Sequence, residues 1–409
     1  MLLQSLFFFF LYPLFFYPLD FLPSCLFAFL TSCLLGFLPS YLLDFFPLAG
    51  KMAFMSVSRR SFLKLLGAVP VAAWGVGGRH SLLHAFAGDS QMPSKKTARV
   101  GLVHSPIYKK HVPHLSHPER PQRLDAIMDA LAAPELAELL VAVQPRPATE
   151  AEIRLCHSAD YVRQAKRDIQ SGAETLSTGD TDVCRDSLEA ALLAAGGVLA
   201  AVDAVVAGAV ETAFCALRPP GHHATPDRGM GFCIFNNVAI AARYAQKKHG
   251  IARVLIADWD VHHGNGTQET FYEDGSVFFF STHQSPWYPG TGSAAETGRG
   301  AGKGATLNCP FPAGTDGERI VAAFREKLLP VANAFKPELV LISAGFDSRH
   351  GDPLGMFHIR DEQFAELTAI LRQIAGEHAN GKVISVLEGG YSLEGLAAAS
   401  AAHVRALAR

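Results

Sequence analysis

The stretch VLIADWDVHHGNGTQ at Val254–Gln268 constrains the fold more than any other part of this 409-residue sequence. Its first residues are apolar and partly β-branched, as in a buried strand of a parallel sheet. The sequence then turns abruptly polar, with Asp258, Asp260, His262 and His263 before two loop-forming glycines. Alternate residues of an extended chain share a face, so the first three of these side chains are predicted to point the same way. Such a strand end is where open α/β sheets bind their ligands.

Two further apolar segments end in the same manner. Leu339–Ala344 is followed by Asp347, and Val383–Leu387 is followed by Tyr391. Strands that alternate with helical segments indicate an α/β fold, here a single-domain, mostly parallel, doubly wound sheet with helices on both faces. The other predicted strands are Arg99–His104, Thr212–Leu217 and Val277–Thr282, and the predicted helices are Leu124–Leu140, Ser187–Ala209, Asn237–His249, Gly317–Ala334 and Asp361–Ala379.

Residues 1–51 do not have the pattern of a folded domain. They are rich in Leu, Phe and Pro, and Asp20 and Asp44 are the only charged side chains among the first 50 residues. We interpret them as low-complexity sequence upstream of a true start at Met52 or Met55. A pair of membrane spans is the alternative, and the interrupting prolines weaken it.

Residues 52–87 have the order of an export signal. Ser58–Lys64 (SRRSFLK) resembles the twin-arginine motif, Leu65–Val76 is mildly apolar, and Ala85-Phe86-Ala87 is typical of a cleavage site. We therefore expect a mature folded domain of residues 88–409, without a stable membrane span, in the bacterial periplasm or secreted through twin-arginine export.

Composition excludes some classes of function. The formal net charge of −2 gives no electrostatic footprint for nucleic acid. Five of the seven cysteines follow the signal region, and none of them forms a CxxC pair, so we expect neither a disulfide framework nor a cysteine zinc site.

The predicted strand ends bring together Asp260, His262 and Asp347 as metal ligands. One nitrogen and two carboxylate oxygens suit Zn²⁺ with an open fourth position, and also Fe²⁺ or Co²⁺. Three protein ligands plus water are typical of a catalytic metal rather than a structural one.

A tandem pair, His222-His223, lies on a Pro-Pro-Gly loop after the predicted strand Thr212–Leu217. One of these imidazoles can take a proton from an attacking water and return it to a leaving amine. Asp258 and Asn265 are candidate partners that fix the tautomer and the pKa. Tyr391 follows two glycines, and its phenol can donate a hydrogen bond to a developing oxyanion.

These residues resemble the histone deacetylase family, which includes bacterial acetylpolyamine amidohydrolases and related deacetylase-like amidohydrolases. The resemblance covers about Val100 to Leu396 and is closest to class II members. It rests on seven ordered motifs: HPERPQR at His117–Arg123, RPPGHHA at Arg218–Ala224, GFCIFNN at Gly231–Asn237, DWDVHHGNGTQ at Asp258–Gln268, PGTG at Pro289–Gly292, SAGFDSRHGDPLG at Ser343–Gly355 and LEGGY at Leu387–Tyr391.

The resemblance implies roles that agree with the assignment above. Asp260, His262 and Asp347 match the zinc ligands, His223 matches the general base and acid, and His222 matches its electrostatic or acid partner. Asp258 and Tyr391 match further catalytic residues, and Asn265 stands where class I relatives have Asp. The acyl-lysine tunnel is matched by Gly231, Phe232, Tyr288 and Leu354. Ser281, with backbone carbonyls near Asp258, Asp260 and His262, matches a structural K⁺ site. The polyamine-selective eukaryotic relative has a glutamate at the position of Leu354, which acts there as a gatekeeper for polyamines. Leu354 therefore gives no support for such a gatekeeper in this chain.

The sequence thus predicts a zinc-dependent amidohydrolase that removes an acyl group from acetyl-lysine, acetylpolyamine or a similar slender amide. The predicted partner is a small-molecule or peptide acyl-amide substrate, and a homo-oligomer stays open. Two alternatives also stay open. One is a dimetal ureohydrolase of the arginase type, which needs more carboxylates to bridge a second metal than this sequence offers. The other is a non-enzymatic receptor for acylated ligands, which would need neither Tyr391 nor both histidines.

Overall fold

Short segments of mostly apolar residues form the interior strands of this protein. The computed structural model describes residues 99–114 and 116–409. The segment of residues 1–51 and the predicted signal of residues 52–87 lie outside the described residues. The five cysteines from Cys156 onward are all free.

The described residues form an eight-stranded parallel sheet with the strand order β2-β1-β3-β8-β7-β4-β5-β6. Every strand pair in it is parallel. The strands are β1 Val100–Val103, β2 Leu140–Val143, β3 Thr212–Cys215, β4 Val254–Asp258, β5 Val277–Gln284, β6 Thr306–Phe311, β7 Leu339–Ala344 and β8 Val383–Leu387. Burial on both faces of β3, β4, β7 and β8 explains their continuous apolar sequences. The predicted doubly wound parallel sheet is confirmed.

Helices pack on this sheet in two groups. They are α1 Gln122–Leu131, α2 Pro134–Ala137, α3 Glu150–Ile153, α4 Ala159–Ser171, α5 Ser187–Val206, α6 Asn237–His249, α7 Asn265–Phe271, α8 Gly317–Ala323, α9 Leu329–Phe335, α10 Asp361–His378 and α11 Leu393–Leu407. The α5 helix contacts β1, β3, β8 and α6, whereas α11 contacts α1, α10 and β3. On β3 the side chains of Thr212 and Phe214 meet Leu407 and His403 of α11, so its alternate residues face the other way.

Two predicted helices differ from the structure. Leu124–Leu140 is not one helix, because α1 ends at Leu131 and Pro134 begins the separate short helix α2. Proline disfavours helical conformation in the residue before it, and Leu140, the last residue of the predicted helix, begins β2. Gly317–Ala334 is helical as predicted but contains a π-helical turn at Phe324–Leu328, just before Pro330, which has no N–H to donate.

The α5 helix is long and apolar enough to cross a membrane by composition alone. It lies against β1, β3 and β8, and 67% of its most apolar window is buried inside the protein. This helix is therefore part of the core.

The strand register positions the functional residues. Asp258, the last residue of β4, lies beside Ser343 of β7 and Ser281 of β5. Ala344 of β7 lies beside Leu387 of β8. The polar loops that follow β3, β4, β7 and β8 consequently meet at one edge of the sheet, as parallel strands require.

Candidate active site

The three predicted metal ligands converge at this edge. Asp260 and His262 follow β4, and Asp347 follows β7, with candidate ligand atoms that all lie within 4.8 Å of one another. His262 Nδ1 lies 3.0 Å from Asp260 Oδ1 and 3.3 Å from Asp347 Oδ2. Within the part of the chain that the structure describes, this is the one cluster of His, Cys, Asp or Glu with metal-binding geometry.

The other contacts of these carboxylates fix their orientation. Asp260 Oδ2 accepts a hydrogen bond from Gly389 N at 2.9 Å, and Asp347 Oδ1 accepts one from Val261 N at 2.9 Å. Asp347 Oδ2, although buried, accepts no hydrogen bond. A Cβ at residue 389 would collide with this atom, so only glycine leaves it accessible. A buried carboxylate oxygen of this kind fits a divalent cation.

The electrostatics of this cluster favour positive charge. Burial raises the pKa of Asp347 to about 7, and the nearby carboxylate of Asp260 adds to the effect. Burial opposes protonation of His262, but contacts with Asp260 and Asp347 outweigh it and raise its pKa to about 10. Two carboxylates facing one imidazole are therefore best balanced by a cation.

The chain after β4 is not a simple continuation of the strand. Asp258 Oδ1 accepts a hydrogen bond from Asp260 N at 3.1 Å, and Asp260 Oδ1 accepts one from His262 N at 2.8 Å. These side chains therefore fold back on the backbone two residues ahead. Asp260 and His262 share a direction, as predicted, whereas Asp258 turns toward His222.

The tandem histidines are buried and have different partners. His222 Nδ1 lies 2.9 Å from Asp258 Oδ2, and His223 Nδ1 lies 2.8 Å from Asn265 Oδ1. The amide oxygen of Asn265 accepts only, so His223 carries its proton on Nδ1 and leaves Nε2 as an acceptor. Both predicted pairings are present.

These partners separate the two pKa values. Burial disfavours the charged form of His222, but the fields of Asp258, Asp260 and Glu388 overcome it and raise its pKa well above the usual range. Burial lowers the pKa of His223 well below the usual range, and the charges of His222 and His262 lower it further. These shifts favour the charged form of His222 and the neutral form of His223.

Tyr391 completes the centre. Its backbone N–H donates to Asp352 Oδ2 at 2.6 Å, and its ring lies 5.0 Å from the guanidinium carbon of Arg123. Burial and the field of Asp347 raise the pKa of the phenol well above its usual value. The hydroxyl therefore remains a hydrogen-bond donor at any physiological pH.

A cavity of about 310 Å³ leads to these groups. This volume is at the small end for ligand pockets and suits a slender substrate. Its lining contains all the predicted tunnel residues, Gly231, Phe232, Tyr288 and Leu354, together with His222, His223, His262 and Tyr391, and also Asp180, Pro220, Trp287 and Gly389. The predicted tunnel residues thus line one cavity together with four residues of the predicted site.

The two aromatic residues of the cavity wall, Phe232 and Tyr288, have an unusual backbone conformation and a polar contact, respectively. Gly231 and Phe232 both have positive φ, 57° and 68°, and a phenylalanine rarely adopts this conformation. The Tyr288 hydroxyl donates to Asp180 Oδ2 at 3.1 Å, which a phenylalanine at this position would not do. Tyr288 thus places a hydroxyl group, hydrogen-bonded to Asp180, on the wall of the cavity.

Ser281, which belongs to the predicted K⁺ site, is buried in register with Asp258. Its hydroxyl lies 2.9 Å from His283 Nδ1. The K⁺ site stays a prediction.

Several side chains at the site were not predicted from the sequence. Asp180 and Trp287 line the cavity, and Asp352, Arg123 and Glu388 hold the loops behind it. The HPERPQR and LEGGY motifs contain Arg123 and Glu388, which is the signal that could have found them. Asp180 and Trp287 lie in loops without any such signal.

Comparisons with known proteins agree with this geometry. The family model described as "Histone deacetylase domain" matches residues 117–407. The histone deacetylase-like amidohydrolase of Pseudomonas aeruginosa is 36% identical over 320 residues, which cover 78% of this chain and 79% of that protein. The human protein named polyamine deacetylase HDAC10 is 45% identical over 290 residues, which cover 68% of this chain and 43% of that protein. The crystal structure of the HDA15 HD domain superposes with a TM-score of 0.70 at 37% identity, covering 76% of this chain and 90% of that one.

Proposed function

Because the chain belongs to the histone deacetylase family, we propose that it is a zinc-dependent amidohydrolase that removes an acyl group, acetyl in the simplest case, from an amine nitrogen. One observation carries the proposal: His262 of the Asp260–His262–Asp347 cluster lines a single small cavity together with both tandem histidines and Tyr391. A dimetal ureohydrolase is less well supported, because Asp258 is committed to His222 and does not extend the cluster.

A metal ion held by Asp260, His262 and Asp347 would polarise the substrate carbonyl and acidify the attacking water. His223 accepts the proton of that water on Nε2 and returns it to the amine that leaves. His222, kept charged by Asp258, adds positive potential beside the reacting carbonyl. Tyr391 donates a hydrogen bond to the oxygen as negative charge develops on it.

The cavity supports slender amides as substrates. Its aromatic walls suit an alkyl chain, and its small volume admits an acetylated lysine or a linear acetylated polyamine. The human relative's name supports acetylpolyamines as candidates, whereas Leu354 contributes no negative charge that would select them.

The test is turnover by the purified protein loaded with Zn²⁺. Acetyl-lysine peptides, acetylputrescine, acetylspermidine and trifluoroacetyl-lysine are offered in parallel, and release of free amine is measured. We expect hydrolysis of at least one of them. Tight binding of these ligands without any hydrolysis would favour the receptor alternative.

We also propose a structural K⁺ at the backbone carbonyls near Asp258, Asp260 and His262, with Ser281. The burial of Ser281 beside Asp258 supports it.

Export is a further proposal, supported by the SRRSFLK motif at Ser58–Lys64 and by Ala85-Phe86-Ala87. Expressed from Met52 in a bacterium, the protein should reach the periplasm and be trimmed near Gly88. Changing Arg59 and Arg60 to lysine should retain it in the cytoplasm, as cell fractionation would reveal. Unchanged export of that double variant would remove the hypothesis.

A further inference from the structure

Glu388 is a fully buried carboxylate whose field supports the charge of His222, after those of Asp258 and Asp260, but to which the chemistry above gives no contact with metal or substrate. It follows β8 directly, three residues before Tyr391, and its side chain has no exposed surface. A charged group in such a place is costly unless it makes several hydrogen bonds. Its contacts therefore indicate what it does.

The carboxylate connects two of the loops that form the site. Oε2 accepts hydrogen bonds from Gly221 N at 2.6 Å and from His222 N at 3.1 Å. Oε1 accepts a hydrogen bond from Ser343 Oγ at 3.1 Å, on the strand that leads to Asp347. No apolar side chain could satisfy the two backbone N–H groups of the histidine loop.

The backbone of Glu388 is fixed by the rest of the site. Its N–H donates to Ala344 O at 3.1 Å, and its carbonyl accepts from Arg123 Nη2 at 2.6 Å. Arg123 Nε also donates to Gly390 O at 2.6 Å, next to Tyr391. Movement of the Glu388 side chain would thus change the separation between the His222-His223 loop and the loop of Tyr391.

We infer that Glu388 is a positioning residue, which sets the tandem histidines against the metal ligands and Tyr391 through its hydrogen bonds. The inference rests on the proposed function. It assigns the effect to the reach and acceptor geometry of the side chain rather than to its negative charge. Glutamine preserves that geometry, because its oxygen can accept from Gly221 and His222 and its NH₂ can donate to Ser343 Oγ. Aspartate preserves the charge but is one methylene shorter.

Three variants separate geometry from charge. Glu388→Gln should keep kcat within about threefold of wild type, whereas Glu388→Asp and Glu388→Ala should lower it by about 10²-fold, the usual cost of misplacing a catalytic group. KM and the zinc content should change little in all three. Ser385→Ala, which removes a buried hydroxyl from β8 that contacts His403 instead, is the matched control and should keep kcat.

Amide hydrogen exchange gives a readout that does not depend on turnover. Exchange at Gly221 and His222 should quicken in Glu388→Asp and Glu388→Ala but not in Glu388→Gln. This arm holds even if the wild type hydrolyses no tested amide, so failure of the proposed function and failure of this inference are distinguishable. If Glu388→Ala does not fold, comparing kcat and amide exchange between Glu388→Gln and Glu388→Asp still decides the question. Full activity in Glu388→Asp with loss in Glu388→Gln, or unchanged exchange in both shorter variants, would overturn the inference.

Discussion

Two adjacent histidines acquire opposite roles because their Nδ1 partners differ. His222 faces the carboxylate of Asp258, and His223 faces the neutral amide of Asn265. The first is held charged, and the second is held neutral with a free Nε2. The opposite pKa shifts of the two imidazoles thus follow from single side chains.

Tyr391 gives the sharpest test at this scale. Tyr391→Phe removes only the hydroxyl, so the contacts of the ring with Phe232 and Arg123 should persist. A hydrogen bond made mainly in the transition state lowers the barrier without tightening substrate binding. We therefore expect kcat to fall by about 10²–10³-fold, with KM within a few-fold of wild type.

Steady-state kinetics and a zinc assay on the purified variant check this. The metal content and the affinity for an acetyl-lysine ligand should stay near wild type. Turnover within a few-fold of wild type would mean that Tyr391 only packs.

The sequence predicted the residues of the metal cluster better than the residues that hold the loops around it. Asp260, His262 and Asp347 stand out because polar residues after core strands are unusual. Asp352 and Arg123 act through backbone atoms of the Tyr391 loop, far along the chain. Such contacts depend on the tertiary packing of loops, so the motifs that contain these two residues do not show what they bind.

At the scale of strands, the metal cluster depends on β4 and β7 ending at the same level. Asp258 lies beside Ser343, which places the two following loops next to each other. The register therefore predicts one ion per chain, held from both loops.

Asp347→Ala removes the ligand supplied by β7. Two remaining ligands make a much weaker site, so the variant should lose most of its zinc and nearly all activity. Metal analysis after dialysis measures this, with Asp316→Ala, at an exposed helix cap, as the control. Two tightly bound ions in the wild type would instead favour the dimetal alternative.

The central elements were predictable, and the edge of the sheet was not. β7 and β8 match their predicted bounds because uninterrupted apolar runs are typical of buried parallel strands. β2 is apolar but only four residues long and half-buried, and its first residue falls at the end of a predicted helix. β6 ends in Pro310 and Phe311 and has no clear apolar run. Edge strands such as these are defined by their neighbours in the sheet.

At the scale of the molecule, one buried ionic cluster joins distant parts of the described chain. Glu119 is fully buried and pairs with Arg123 at 2.9 Å and with Arg218 Nη2 at 2.6 Å. Arg218 also donates to the carbonyls of Tyr108 and His111. Since Arg123 reaches the Tyr391 loop as well, the cluster connects the segment before α1 to β3 and to the region after β8.

Glu119→Gln should destabilise the protein, because it leaves two buried guanidinium groups without their counter-charge. We expect a loss of about 3–5 kcal/mol in the free energy of unfolding at pH 7. Burial opposes ionisation of Glu119, but Arg218 and Arg123 outweigh it and lower its pKa from 4.5 to about 2. A depressed carboxyl pKa stabilises the folded state above the unfolded pKa, and that contribution is lost as pH falls through the folded one.

The difference between wild type and Glu119→Gln should therefore be largest above pH 4.5 and shrink as pH falls toward 2. Urea unfolding of both proteins at several pH values measures it. The other buried carboxylates, including those of the metal cluster, are common to both proteins and cancel in the difference. His111 lies 3.6 Å from Glu119, and its pKa is lowered to about 4 by burial, so its protonation contributes within the same range. A difference that stays constant from pH 7 to pH 3 would mean that Glu119 contributes through packing alone and not through its charge.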